Sequence, residues 1–259
     1  LGGLGPGGRV VVSGDDQQLP PVRAAREIKV DGREMGGSLY AFLKSANTAE
    51  FALEETFRLN APLAAFPERR FYLGRYVSAD PDAKLALREN WKEGLDLVAR
   101  SALDPAFPVI VLVHNGPSSS TSNPFEANLA ARLASALADR VVDDGGGSIT
   151  TPRFWADVAA IVSPHRAQNA AIRQALPEAL KADAFVETVD RIQGKERDAV
   201  ILSYCVSDPE FALAEAEFIF SSERLNVAST RARSKLVMII SKRLLDAVPT
   251  DQTLMDKAE

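Results

Sequence analysis

The sequence predicts an α/β fold built on a mainly parallel sheet flanked by helices. Three observations predict it: short aliphatic and β-branched runs recur along the chain, amphipathic stretches with helix-start residues separate them, and helices open directly after strand ends. The 259 residues are 46% hydrophobic and 25% charged, which is enough apolar material for one large or two small domains with a core.

Taken in order, the candidate strands are Val10–Ser13, Val109–Val113, Val158–Val162, Phe185–Val189, Ala199–Tyr204 and Leu236–Ile240. Each is a short run of apolar and β-branched residues, as buried strands require. Ahead of the first, Gly3, Gly5 and Gly8 satisfy G-x-G-x-x-G, but they follow no strand and open no helix. Arg9 and Val10 stand where a P-loop needs Lys and Ser or Thr, so a turn is the reading. Residues 23–100 are more helical and less strand-like, broken by Pro62, Pro67 and Pro81. Asn123, Pro124 and Glu126 supply an N-cap, a first-turn proline and an acidic N3 residue ahead of the apolar face of ANLAARLASALA. Ser163 and Pro164 predict the same cap ahead of HRAQNAAIRQAL. GPSSSTSN and DDGGGS read as surface loops.

Composition narrows the function classes. The single Cys205 excludes an intramolecular disulfide and a cysteine-based zinc site, and reads as a buried small hydrophobe. His114 and His165 are too few for a histidine-rich metal site, and His114 reads as structural. The longest apolar runs, such as VIVLV, fall far short of the roughly 20 residues that cross a bilayer, so no membrane partner is expected and a cytoplasmic protein is the default reading. The net charge is -5, yet charge is sorted along the chain. Asp208 to Glu217 carries four anions and no cation, while Ser221 to Arg243 holds six cations against Glu223 alone, a pattern that allows a basic face on an acidic protein.

Five segments carry the functional reading: GDDQQLPP from Gly14, ETFRLNAPLAAFPERRFY from Glu55, AIVSPHRAQ from Ala160, ETVDRIQGKERDAVILS from Glu187 and ERLNVASTRARSKLVMI from Glu223. In this order they resemble motifs III to VI of superfamily 1 helicases, most closely the Upf/Dna/Nam-like branch. The resemblance implies a RecA-like, P-loop NTPase-type fold. Residues 1–22 correspond to the end of a first RecA-like domain, 23–100 to a lead-in and helical flank with the FR element, 101–248 to the second RecA-like domain, and 249–259 to a tail. It implies ATP, Mg2+ and single-stranded DNA or RNA as ligands, with 5′ to 3′ movement. ATP and Mg2+ would be held mainly by a first RecA-like domain, because these 259 residues contain no G-x-x-x-x-G-K-[ST] and no Mg-binding DE strand.

Carried over residue by residue, the resemblance assigns Arg231 as an arginine finger and Arg58 as a second phosphate-sensing arginine. A guanidinium suits either role because it donates paired hydrogen bonds in a fixed geometry; Arg231 equally fits a cation at a helix C-terminus. Gln18 is implied as a sensor between ATP and nucleic acid, and Asp15 as a nucleotide contact. Asp15 and Asp16 are therefore not expected to be a metal-holding pair. Gln193, Gly194 and Glu196 match a nucleotide-facing loop. Thr188 and Asp190, on the run just before it, match residues that meet the nucleic-acid backbone, so one strand would touch both ligands. Ser163, Pro164, His165 and Arg166 match a helix start that receives a phosphate of the tracked strand. FRLNAP departs from the commoner YRMHP form, so that histidine's role is unavailable, and Ser229 replaces a commoner apolar residue. Two alternatives stand beside the helicase reading: a non-catalytic nucleic-acid-binding or interaction module, and part of a fused helicase-nuclease.

Overall fold

The structure, a computed structural model, describes residues 8, 10–19, 38–46 and 48–247, together with the backbone of 29–30 and 33–34. The chain divides into two compact units, Leu1–Leu53 and Glu54–Glu259.

In the first unit, β1 (Lys29–Val30) pairs antiparallel with β2 (Arg33–Glu34). The short helix α1 (Leu39–Ser45) starts where the Ser38 hydroxyl accepts from the Ala41 amide. Val10–Ser13, expected as a strand, makes no ladder, and Val11 is 95% exposed. A strand exists only where a neighbour completes its hydrogen bonds, and none of the described residues does so here. Val10, Val11 and Val12 instead line a groove with Tyr40, Leu43 and Phe51. Pro20–Val22, the end of the expected 1–22 segment, and the tail 249–259 lie outside the described residues.

The second unit opens with β3 (Glu55–Thr56), α2 (Ala61–Arg70) and β4 (Val77–Ser78), β3 and β4 pairing in parallel. Next come α3 (Leu97–Leu103), β5 (Val109–His114), α4 (Pro124–Ala138) and α5 (Thr151–Arg153). A π-helical turn over Phe154–Val158 leads to β6 (Ala159–Ser163), α6 (Arg166–Ala175), α7 (Glu178–Lys181) and β7 (Val186–Thr188). The chain continues through α8 (Val189–Ile192), β8 (Arg197–Ser203), α9 (Pro209–Ala214), α10 (Ala216–Ile219), α11 (Ser222–Ser229), β9 (Ala232–Ser241) and α12 (Lys242–Leu245). Arg100 lies inside α3, so the expected division at 100/101 passes through a helix.

Five strands form one wholly parallel sheet in the order β5-β9-β8-β6-β7, flanked by helices, the architecture expected of a RecA-like domain. Each of the five expected strands of this unit is present with shifted ends. Val158 belongs to the π-helical turn rather than to β6, where Phe154, Trp155 and Val158 are buried and the Trp155 indole donates to the Leu180 carbonyl at 3.0 Å. On one face of the sheet Ile161, Ile201 and Val237 join Leu133 and Leu137 of α4 and Ile172 of α6 in the main core. On the other, Leu202 meets Ile219, Leu225 and Ala228. At the β5 edge of that second face, Val109, Val111 and Val113 remain 40%, 50% and 52% exposed.

Asn123 caps α4 as expected, its side chain accepting from the Phe125 and Glu126 amides. Ser163 and Pro164 do not cap α6: Ser163 ends β6, paired with Thr188, and His165 is the N-cap residue without a side-chain bond. The pairing partner holds Ser163 in extended backbone and so moves the helix start two residues on.

Glu126 is not a solvated first-turn acid. It is wholly buried, and every group facing it is a donor. Its Oε2 accepts from Ser203 Oγ at 2.7 Å and from the Cys205 amide at 2.9 Å, and its Oε1 lies 2.9 Å from His114 Nε2. His114 Nδ1 accepts from the Gly116 amide at 3.0 Å, which assigns the ring proton to Nε2 and aims it at Glu126. Gln168 completes the network: Nε2 donates to Ser203 Oγ and to the Asn123 carbonyl, and Oε1 accepts from the Asn123 amide. One carboxylate thereby ties β5, α4, β8 and the start of α6 together.

Removing a buried acceptor strands its donors, so Glu126→Ala should destabilise the fold by about 3 kcal/mol, a fall of roughly 6 °C or more in unfolding temperature. Glu126→Gln should destabilise as well, because its amide N–H would face another donor. Calorimetric midpoints within about 2 °C of wild type would contradict this assignment.

Candidate functional site

The polarity of a parallel sheet divides the expected site residues between its two ends. Glu196 precedes β8 and Arg231 precedes β9, at the N-terminal edge, whereas Ser163 and Thr188 end β6 and β7 at the C-terminal edge. At about 3.3 Å per residue, the length of β8 sets these groups roughly 20 Å apart.

Arg58, Glu196 and Arg231 come together at the N-terminal edge. Arg58 Nε meets Glu196 Oε2 at 2.6 Å, and its Nη1 donates to the Thr230 carbonyl at 3.3 Å. Arg231 is 3% exposed; its Nε donates to the Val227 carbonyl at 3.0 Å and its Nη2 to the Thr230 hydroxyl at 2.9 Å. The two guanidiniums thus meet on Thr230, at the C-terminus of α11, where a cation also faces the negative end of the helix. Burial, followed by the nearby Arg58 charge, pushes the Arg231 pKa down to about 10. The hydrogen bond from Arg58 holds the Glu196 carboxyl below the ordinary glutamate range despite partial burial.

Two further residues build this edge: Arg233, which flanks the α11 motif and fits a salt bridge by sequence, and Asn60, which lies outside the expected set. Arg233 bridges the acids, Nη1 at 3.5 Å from Glu196 Oε1 and Nε at 2.8 Å from Asp198 Oδ1. Asn60, 1% exposed, caps α2 through Leu63, and its Nδ2 donates to the Ser234 carbonyl at 3.1 Å while its amide donates to the Arg233 carbonyl at 3.1 Å. This clip to β9 positions Arg58, two residues earlier. Asn60 carries a sequence signal, an Asn cap with a proline in the first helical turn (Pro62) much as Pro124 follows Asn123, whereas the pairing of Arg233 with Asp198 links strands and nothing local to Arg233 marks its partner. Phe57, beside Arg58, is 81% exposed. Gln193 and Gly194 are exposed on the turn into β8, and Gly194 takes φ +81°, with open space where a Cβ would stand. A side chain there would be strained by backbone conformation alone.

The C-terminal edge gathers the other group. Ser163 is wholly buried, its hydroxyl accepting from the His165 amide at 3.4 Å, while Arg166 is exposed and Pro164, His165 and Thr188 are half-buried. Asp190 pairs with Arg224 at 3.6 Å. Thr188 and Glu196 do not share a strand, contrary to expectation: Thr188 ends β7, Glu196 precedes β8, and α8 connects the two edges. Strands running the same way require such a crossover.

The basic run from Ser221 to Arg243 is largely taken up inside the protein, with Lys242 and Arg243 exposed at its end. Arg231 and Lys235 are buried, Arg224 and Arg233 pair with acids as above, and Lys242 pairs with Asp246 at 2.9 Å. Lys235 Nζ donates to the carbonyls of Asp104 at 2.9 Å and Phe107 at 2.6 Å, and burial pushes its pKa down to about 8. The β8–β9 register shifts between the pairs Arg197–Ala232 and Ala199–Lys235, and the two cations of β9 each find their own acceptors there, Arg233 on acids and Lys235 on loop carbonyls. Cys205 is buried as expected, and burial pushes its thiol pKa up.

In the first unit, Asp15 organises its own turn, accepting from the Gln17 amide at 2.9 Å and from Gln18 Nε2 at 2.8 Å. Asp16 pairs with Lys44 at 2.8 Å, a contact that holds its carboxyl below the usual range. Among the described residues no group of three or more His, Cys, Asp or Glu is placed to hold a metal ion, and no helix is long and apolar enough to cross a membrane.

The chain is similar to known proteins along most of its length. A family profile described as "AAA domain" matches residues 35–243. The DNA replication ATP-dependent helicase/nuclease JHS1 of Arabidopsis thaliana is 25% identical over 260 residues, covering 96% of this chain and 18% of that protein. The DNA replication ATP-dependent helicase/nuclease DNA2 of Bos taurus is 29% identical over 253 residues, covering 89% of this chain and 22% of that protein. A regulator of nonsense transcripts 1 homolog of Arabidopsis thaliana is 27% identical over 244 residues, 93% of this chain and 18% of that protein. The chain therefore spans about a fifth of the length of these relatives.

The Glu196 cluster has a pH signature. Because its folded-state pKa is lowered, the pair's contribution to stability is complete above the ordinary glutamate range and fades as pH falls through the lowered value. Glu196→Gln should cost about 1 kcal/mol or less at neutral pH, since the pair is partly solvated. The difference from wild type should close under acid, as read from chemical denaturation across pH; a difference that widens under acid would contradict the pairing.

Proposed function

The chain belongs to the AAA-domain family in its superfamily 1 helicase form, and from that membership we propose that it is the arginine-supplying half of an ATP-driven motor that moves on single-stranded nucleic acid. The observation that carries the proposal is the convergence of Arg58, Arg231 and Arg233 with Glu196 at one edge of the sheet. Three guanidiniums against two carboxylates leave positive charge at that edge, and a triphosphate is a ligand of matching sign and geometry. Arg231 and Arg58 would hold phosphoryl oxygens, Gln193, Gly194 and Glu196 would line the nucleotide, and the exposed ring of Phe57 would offer the base a stacking face. ATP when bound supplies the phosphoryl group whose developing charge these cations stabilise. Its phosphates and Mg2+ would be held chiefly by a P-loop domain outside these 259 residues.

Glu196 acts on the chain's own cations. Without nucleotide it occupies Arg58 Nε, so an approaching phosphate must compete with a carboxylate for that guanidinium. The C-terminal edge, with Pro164, His165, Arg166 and Thr188, would meet the nucleic-acid backbone. The α8 crossover then gives a direct mechanical link between strand contact and nucleotide contact, with Thr188 at one end and Gln193 at the other. In the first unit, Gln18 Nε2 donates to Asp15, and Gln18 would serve as a sensor of nucleotide and Asp15 as a nucleotide contact.

Turnover tests the proposal. The 259 residues alone should hydrolyse no ATP above blank, and in the P-loop-bearing protein Arg231→Ala should lower kcat by about 10³-fold. ATP hydrolysis by the purified chain that disappears on Arg231→Ala would overturn the division of labour. Binding of a single-stranded oligonucleotide should weaken steeply as salt rises; an affinity indifferent to salt would exclude a backbone track.

A further inference from the structure

A phenylalanine at the C-terminal edge sits among groups that it cannot satisfy. The Phe218 ring, on α10, lies 5.3 Å from the His165 ring at a 35° tilt, and the Arg224 guanidinium carbon lies 4.3 Å from the Phe218 ring centre. Phe211 of α9 adds a second ring 6.0 Å from His165. Two buried polar atoms in this cluster, His165 Nε2 and Arg224 Nε, have no hydrogen-bond partner among the described residues. Buried polar atoms are ordinarily satisfied, and an all-carbon ring offers a face to stack on but no hydrogen-bond partner to either nitrogen.

We propose that His165 and Arg224 form a nucleobase slot, and that Phe218 fills it as an intramolecular stand-in which a single strand must displace. A base would stack on the guanidinium and the imidazole as the phenyl ring does, and would add edge donors and acceptors for the two unpartnered nitrogens. The rest of the segment extends the mimicry. Asp208, Glu210, Glu215 and Glu217 carry negative charge without a cation, and Glu215 lies close enough to His165 to act on its charge, although burial dominates and lowers that pKa. Phosphates brought to this edge would be repelled by these carboxylates, so segment and strand exclude one another. α9 and α10, six and four residues long, are short enough to move as a unit. The inference rests on the reading that the C-terminal edge meets nucleic acid.

Fluorescence anisotropy of a labelled 20-nucleotide oligothymidylate, at one fixed salt concentration, tests it with wild type, Phe218→Ala, Glu215→Gln and Arg224→Ala. Phe218→Ala should bind about fivefold more tightly or better, and Arg224→Ala about fivefold more weakly, the span of one base stack. Phe218 is half-buried and Glu215 exposed. If Phe218→Ala melts early, Glu215→Gln, which removes only surface charge, should still tighten binding. Equal or weaker binding by Phe218→Ala and Glu215→Gln, with wild type still binding in a salt-dependent way, would overturn the stand-in while leaving the track intact. No binding by any variant would overturn both.

Discussion

A carboxylate surrounded by donors and shut away from water organises the end of this sheet. Glu126 has three donors and no alternative acceptor competes for them, so the fold must bring His114, Ser203 and Cys205 to it in one geometry. Burying such a charge is costly unless every lone pair is used. That cost makes the arrangement exclusive, because a slip of β5 against β9, or of α6 against α4, would leave a buried charge unsatisfied. Gln168 extends the constraint to the first turn of α6, and hence to His165 and Arg166 beside it. The surface that faces nucleic acid in the proposed function is thus held from beneath by a network that touches no ligand.

The opposite edge is built on a different principle. There, charge is shared rather than sealed: Glu196 serves Arg58 and Arg233, Asp198 serves Arg233, and Arg231 rests on the Val227 carbonyl and the Thr230 hydroxyl. Partly solvated ion pairs are weak and exchangeable, which suits the proposed function, in which these groups change partner when a phosphate arrives. Arg231 differs in being deeply buried, with its guanidinium aligned by Val227 and Thr230 before any ligand is present. Alignment in advance is what electrostatic stabilisation of a transferring group requires. One sheet therefore carries a rigid edge and an exchangeable edge, with α8 crossing between them.

The comparison of Arg58 and Lys235 shows how far charge in a sequence can be read. Both are cations near the start of β9 in space. Arg58 reaches an acid 138 positions away, while Lys235 spends its charge on two loop carbonyls. Nothing in the local pattern separates a basic residue that pairs with a distant acid from one that clasps its own backbone, because the difference lies in what the next layer of the fold offers it.

The sequence by itself determined the elements that depend on local chemistry: the five apolar strands of the second unit, the Asn123 cap, the burial of Cys205, and the order of motifs that marks the family. Propensity, capping and spacing act over a few residues, so they are legible without a fold. Tertiary structure alone decided that Ser163 would stay in β6 instead of capping α6, that Glu126 would be sealed within the protein, that Asn60 would clip α2 to β9, and which acids Arg233 would bridge. Each of those outcomes turns on a partner far away in the chain. A hydrogen bond or an ion pair has no sequence signature until the sheet brings its two ends together.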